Sequence, residues 1–287
     1  MENKPILGVI GGSGLYDFPA LENKKDVKVI TPFGDPSSPI LLGELSGKLV
    51  AFLARHGIGH IYSPSDVNYR ANIYALKSIG VDRIVSISAC GSLRENYSPG
   101  HIAIPDQVVD FTHKRHRSFF GDGVVVHVGA SDPFCPDLSS ELFQAVLNTG
   151  ATVHKNCIYL TIEGPRFSTK AESNLYREWG MSIIGMTASP EVFLAREAEI
   201  CYSTMAHVTD YDVWHISEQP VTVEMVIKVL LANTEIAQKA IVNLVKKLSD
   251  KRTCDCVNSI KDAVMTRGDL ISKESRQKLD LLLNKYI

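Results

Sequence analysis

Cys201-Tyr202-Ser203-Thr204-Met205-Ala206-His207-Val208, running straight into Thr209-Asp210-Tyr211-Asp212-Val213-Trp214, is the stretch from which the rest of this chain is best understood. The first eight residues read as a buried strand, so two aspartates stand just past a strand's end. In extended backbone, residues i and i+2 point the same way, roughly 6–7 Å apart. That separation suits two polar edges of one flat heterocycle, such as the amino group and ring nitrogen of an adenine. A carboxyl that protonates a purine ring nitrogen also helps that purine leave a sugar. The plain alternative is a strand-end turn whose aspartates are solvated or capping.

Working outward, short apolar runs alternate with helical patterns. Ile6–Ile10, Ile40–Leu45, Leu49–Leu53, Ile84–Ser88, Val153–Ile162, Ile183–Met186 and Ser203–Val208 read as strands. Helical spacing covers Asp66–Ser78, Ser139–Asn148, Lys170–Trp179 and Pro190–Ala198, the last with Ser189 as its expected N-cap and Pro190 at the first helical position. A long amphipathic helix is expected from about Val223 to Leu248. A polar break over 249–258 then precedes a short helix and a final one after Ser272. This alternation predicts an α/β chain: a single domain over 1–287 with a central mixed β-sheet flanked by helices, and a C-terminal helical tail from about 250 to 287.

Composition narrows the function classes. Of 287 residues, 45% are hydrophobic and 22% charged, which provides an ordinary buried core. Net charge is −2 and the basic residues are scattered, against a nucleic-acid partner. The one basic cluster, His113-Lys114-Arg115-His116-Arg117, reads as a solvated loop. The N-terminal apolar stretch is too short for a signal peptide and no segment approaches the ~20 residues of a membrane span. A cytoplasmic protein without a membrane partner is therefore expected. Six cysteines do not make a disulfide scaffold. Cys254-Asp255-Cys256 lacks the two-residue spacing of a zinc knuckle, and a bond between such close cysteines would be strained, so independent thiols and a redox role both stay open.

Several strand ends carry groups suited to an anion. Gly11-Gly12-Ser13-Gly14 frees backbone N–H groups and adds a hydroxyl, without the spacing of a dinucleotide or Walker loop. Arg55-His56-Gly57 offers two potential cations after a strand, and Ser88-Ala89 lies in a strand that ends in small residues. Such ends are where α/β sheets hold ligands. Thr161-Ile162-Glu163-Gly164-Pro165-Arg166-Phe167-Ser168 leads a strand through a turn into a helix capped by Ser168, placing Phe167 where a ring could stack on a base or serve as a buried staple. Gly185-Met186-Thr187 ends another strand.

Together with Thr31-Pro32-Phe33-Gly34, Pro64-Ser65-Asp66-Val67-Asn68-Tyr69, Ala89-Cys90-Gly91-Ser92-Leu93-Arg94 and Pro190-Glu191, these segments resemble the S-methyl-5′-thioadenosine phosphorylases, within the purine nucleoside phosphorylase superfamily. The similarity runs in order from Ile6 to about Leu248. It implies that Ser13, Arg55, His56, Ser88, Ala89 and Thr187 hold phosphate, with Ser13 and Ser88 where relatives often carry Thr. It implies that Met186 meets the ribose, Phe167 packs on the base, and Asp210 and Asp212 bind the purine edge and serve catalysis. Val223, Val226 and Leu230 would line an apolar 5′ pocket, and His127 would reach a neighbouring subunit's 5′ group. Leu281 to Leu283 are candidates for closing that pocket. The resemblance further implies phosphorolysis of a nucleoside by phosphate, with no metal and no organic cofactor, in a homotrimer or a dimer of trimers. In some longer members the C-x-C forms a disulfide. A nucleosidase, a 6-oxopurine phosphorylase and a non-catalytic purine binder are the competing readings.

Overall fold

The structure, a computed structural model, describes residues 4–12, 18–215 and 223–287, without the side chains of 223 and 225–232. In chain order the strands are β1 (Leu7–Gly11), β2 (Glu22–Val27), β3 (Ile40–Leu45), β4 (Lys48–Ala54), β5 (Arg83–Ser92), β6 (Ile102–Ile104), β7 (Gln107–Phe111), β8 (Val153–Lys155), β9 (Ile158–Ile162), β10 (Ile183–Gly185) and β11 (Cys201–Asp210). The helices are α1 (Tyr69–Ser78), α2 (Pro136–Leu147), α3 (Lys170–Glu178), α4 (Glu191–Glu197), α5 (Val223–Lys247) and α6 (Lys273–Leu283).

One mixed sheet joins the strands. Its main path runs β2-β3-β4-β1-β5-β10-β9-β7, and β11 pairs with both β5 and β6. Side chains alternate across it as strand period demands. On β4, Val50 and Phe52 face one core layer with α2 and α5, while Ala51 and Leu53 face the other with α1, α4 and the tail. β11 is buried along its whole length, as its sequence predicts.

The placement of β5 creates the site. One edge pairs with β11 from Arg83 to Gly91. The opposite edge pairs with β1 at Ile84–Ser86 and then with β10 at Gly91 and Ser92. Between these partners, residues 87–90 face a gap in the sheet. The ends of β1, β4, β10 and β11 converge there.

Several expectations are corrected. Val153–Ile162 is two strands, because Asn156 adopts a left-handed φ of 56° and turns the chain between them. β2 is exposed and charged, β6 is only three residues long, and β7 is half-buried throughout with Gln107 and Asp110 among its five residues, so none of them shows a strand-length apolar run in the sequence. Ser189 is not the cap of α4; Pro190 stands at that position with no side-chain capping bond, and the Ser189 hydroxyl is without a partner among the described residues, while its N–H donates to Thr161 Oγ1 and its carbonyl accepts from Arg115. α3 is capped by Thr169 in a capping box with Glu172, not by Ser168. The final helix does start after Ser272, as expected: α6 begins at Lys273, and the Ser272 hydroxyl caps it by accepting from Ser275 N at 3.1 Å.

The tail is part of the core rather than an appendage. Leu279, Leu282 and Leu283 are buried in the same layer as α1 and α4. Leu282 and Leu283 therefore do not close the ligand pocket. Val264 bridges Val126, and His127 N donates to Ala263 O at 2.9 Å.

Candidate active site

The gap beside β5 opens into a cavity of about 390 Å³, within the range of small-molecule sites. Its walls bring together Arg55, His56, Ser88, Ala89, Phe167, Met186, Thr187, Asp210 and Asp212, all singled out from sequence. Ser13 and the side chains of Val223, Val226 and Leu230 lie outside the described residues. His127 is exposed and does not line this cavity.

The two aspartates are not held as an extended pair. The register between β11 and β5 shifts between Val208 and Asp210, and Asp212 takes a left-handed φ of 52°. Its N–H folds back to donate to Asp210 Oδ1 at 2.8 Å, while Thr209 Oγ1 donates to Asp210 Oδ2 at 2.6 Å. The bulge and turn aim both carboxyls into one wall. A Cβ on Gly91 would stand 2.9 Å from Asp210 Oδ1, so the glycine gives that carboxylate its room. Burial pushes the Asp210 pKa up to about 6, with the neighbouring Asp212 adding to it and the two hydrogen bonds opposing it. Burial also raises Asp212, whose carboxylate faces the hydroxyls of Ser173 and Ser168.

At the opposite wall the chemistry differs from two free cations. The Arg55 guanidinium is fully buried and clamps Glu191, Nε to Oε2 at 2.8 Å and Nη2 to Oε1 at 3.0 Å. It also donates to Ile87 O, Ile10 O and Ser86 Oγ. Tyr202 OH donates to Glu191 at 2.7 Å, completing the network. Among the described residues, one of the five N–H groups of Arg55, on Nη1, has no acceptor. His56 is pushed down to about 4 by burial and by the Arg55 charge, so it is neutral near pH 7. Its Nδ1 lies 3.0 Å from Tyr62 O, and since a carbonyl only accepts, Nδ1 carries the proton. Ser88 Oγ sits 3.4 Å from Tyr159 OH, beside Thr187 on the cavity wall.

A description of the Phosphorylase superfamily matches residues 6–247. The chain belongs to the phosphorylase superfamily. It is 48% identical over 283 residues to the S-methyl-5′-thioadenosine phosphorylase of Geobacter sulfurreducens, covering 98% of this chain and 99% of that one. It is 51% identical over 266 residues to the enzyme of the same name from Hyperthermus butylicus, covering 91% and 96%. Its fold matches a methylthioadenosine phosphorylase from an Antarctic soil metagenomic library with a TM-score of 0.94 at 47% identity, covering 98% of this chain and all of that one. A methylthioadenosine phosphorylase from Schistosoma mansoni, in complex with adenine, matches at 0.86 and 35% identity, over 93% of this chain and 100% of that one.

Within this phosphorylase superfamily fold, two site features escaped the sequence reading, and a third adds new residues to the long helix that the reading had already placed at the site. Arg115 is buried rather than solvated. It donates to Met186 O at 2.6 Å, Ser189 O at 2.7 Å and Glu163 O at 2.8 Å, and pairs with the Glu163 carboxylate at 3.2 Å. It thus ties together the two loops that carry Phe167 and Thr187. Burial alone would raise Glu163, but hydrogen bonds from His113 N, Ser65 Oγ and Lys114 N, with the Arg115 charge, hold it at about 2. Second, His207 lines the cavity, fully buried and lowered to about 4 by that burial, with neither ring nitrogen partnered among the described residues. Third, Asn233, Thr234 and Ala237 bring α5 to the cavity. The acidic partner of Arg115 was visible in the quoted motif, but only the fold shows that the two meet. Trp214, just past the aspartates, donates its indole N–H to Ser92 O at 2.7 Å, with the Arg177 guanidinium 3.4 Å over its ring.

Proposed function

We propose that this chain catalyses the reversible phosphorolysis of S-methyl-5′-thioadenosine to adenine and 5-methylthioribose 1-phosphate, a pentosyl transfer serving purine and methionine salvage in the cytoplasm. The observation that carries this is the polarity of one cavity. A carboxyl held near neutrality, Asp210, stands on one wall and the Arg55–His56–Ser88–Thr187 group on another.

Phosphate attacks the anomeric carbon as the purine departs. Positive charge develops on the sugar and negative charge on the purine. The bound phosphate offsets the first, and Asp210 gives a proton or strong hydrogen bond to the purine ring nitrogen for the second. Asp212 holds the other edge of the base, Phe167 packs on its face and Met186 meets the ribose. Ser13, Arg55, His56, Ser88, Ala89 and Thr187 hold phosphate. With phosphate as nucleophile and a carboxyl as acid, neither metal nor organic cofactor has a step to perform. Val223, Val226 and Leu230, whose side chains lie outside the described residues, would line an apolar 5′ pocket, as the likeness to the S-methyl-5′-thioadenosine phosphorylases implies. A homotrimer, or a dimer of trimers, accounts for the absence of His127 from the lining of its own cavity, since it would serve a neighbour's.

The test is adenine release from methylthioadenosine with and without phosphate, with the sugar product identified. Strict phosphate dependence with sugar phosphate as product is expected. Equal release in phosphate-free buffer, giving free sugar, identifies a nucleosidase, and tight adenine binding without turnover identifies a binding protein.

A further inference from the structure

Far from the cavity, four thiols meet at one point. The sulfurs of Cys135, Cys201, Cys254 and Cys256 all lie within 4.8 Å of one another. They come from distant places in the chain: the N-cap of α2, the first residue of β11, and the C-x-C of the polar break. We propose that these four cysteines form a structural zinc site that fastens the C-terminal tail to the body of the domain.

The geometry favours four-fold coordination over pairing. Zn–S bonds of ~2.3 Å in a tetrahedron set sulfurs about 3.8 Å apart, so the cluster needs only small adjustments. Cys201 Sγ lies 3.2 Å from Cys254 Sγ, well beyond a covalent bond, and stands in hydrogen-bonding range of Cys135 and Cys256 as well. No two of the four form an exclusive pair. The C-x-C spacing that argued against a zinc knuckle is supplemented here by ligands from elsewhere in the fold. Cys90 and Cys157, the remaining cysteines, are buried outside the cluster.

The surroundings suit thiolates. Each thiol gives up its proton on binding the metal, so four thiolates and one zinc leave net negative charge. Arg252 Nη1 lies 3.8 Å from Cys201 Sγ and supplies an opposite charge. Leu138 N–H donates to Cys135 Sγ at 3.5 Å at a helix N-terminus, and Cys256 N–H faces the Cys254 sulfur. Three of the sulfurs belong to buried residues and Cys254 is partly exposed, which gives an ion a way in.

The experiment measures metal in the full chain purified without chelators. About one zinc per chain is expected, the stoichiometry of a four-ligand site. Replacing both Cys254 and Cys256 by serine should cut zinc content at least tenfold, while Cys90→Ser and Cys157→Ser retain it. Stripping wild-type protein with a chelator should lower its Tm, and zinc alone should restore it. Cobalt(II) offered to the stripped protein should give the visible bands of a tetrahedral thiolate complex. The stripped wild type keeps the test decisive if the double variant fails to fold. Metal-free protein that is short of thiols when unfolded without reductant would mean disulfides and overturn the proposal. So would fully reduced, folded protein that takes up neither zinc nor cobalt.

Discussion

Asp210 is held by two donors, Thr209 on one oxygen and Asp212 N–H on the other, and still sits near pH 6 because burial outweighs both. Ionised, it only accepts, which suits the amino group of adenine and repels a carbonyl oxygen. Asp210→Asn should lower activity on methylthioadenosine and shift relative preference toward inosine by roughly tenfold to a hundredfold, the effect of a mispaired polar group of ~1–3 kcal/mol. The ratio of kcat/KM for adenosine and inosine measures it, and an unchanged ratio removes Asp210 as reader of the six-position. His207 gives a pH signature. Its pKa falls from 6.5 to about 4 on folding, so stability is full above pH 6.5 and is lost as pH falls toward 4, when only the unfolded chain takes up the proton. Each pH unit in that window costs about 1.4 kcal/mol from this group. Between pH 7 and 5, His207→Leu should therefore gain about 2 kcal/mol on wild type in urea unfolding. Parallel losses in both proteins would show that the folded histidine takes up the proton. Arg55→Ala strands Glu191 unpaired in the core and should destabilise by about 3–5 kcal/mol, so lost phosphate affinity must be read beside a melting curve. The aspartate pair and the Arg55-His56 pair were legible because their residue types name their chemistry. The Arg55–Glu191 clamp was not, because it joins a strand end to a helix far along the chain.

At the scale of elements, the exchange of partners along one edge of β5 makes the cavity, and Arg115 sets its shape. The guanidinium has five N–H groups, and the carbonyls of Glu163, Met186 and Ser189 depend on them. Arg115→Met keeps the stem but leaves those carbonyls and the Glu163 carboxylate without a cation. A stability loss of about 3 kcal/mol is expected, with KM for the nucleoside rising more than kcat falls, because the loops bearing Phe167 and Met186 are positioned rather than reacting. Equal loss in both parameters would argue for a role in the reaction itself. The long apolar runs of β1, β4, β5 and β11 could be read from sequence because burial on both faces leaves a continuous hydrophobic signal. β2 could not, since it is exposed and carries Glu22, Lys24, Lys25 and Asp26. Arg115 was hidden by its basic neighbours, which do face solvent.

Taken whole, the molecule packs core layers on both faces of one sheet, and its last helix belongs to the layer of α1 and α4. Sequence placed the tail as a separate helical segment because the polar break at 249–258 interrupts the pattern. The packing of Leu279 and Leu283 against α1 depends on a reversal of the chain that no local signal encodes. The same break holds two of the clustered thiols. Its C-x-C was therefore weighed as a local pair, when its neighbours in space are Cys135 and Cys201. Among the described residues no helix is long and apolar enough to cross a membrane.

Trp214 gives the protein an optical reporter of the cavity wall that carries Asp210 and Asp212. Of its two tryptophans, Trp179 is half exposed, while Trp214 is buried beside the aspartates with a cation over its ring. Emission from a shielded indole shifts with any rearrangement of the Asp210–Asp212 turn. Titrating adenine should therefore change the blue component of the fluorescence, the part that acrylamide quenches poorly, and Trp214→Phe should abolish that response while Trp179→Phe preserves it. A signal that survives Trp214→Phe would place the binding event away from this wall.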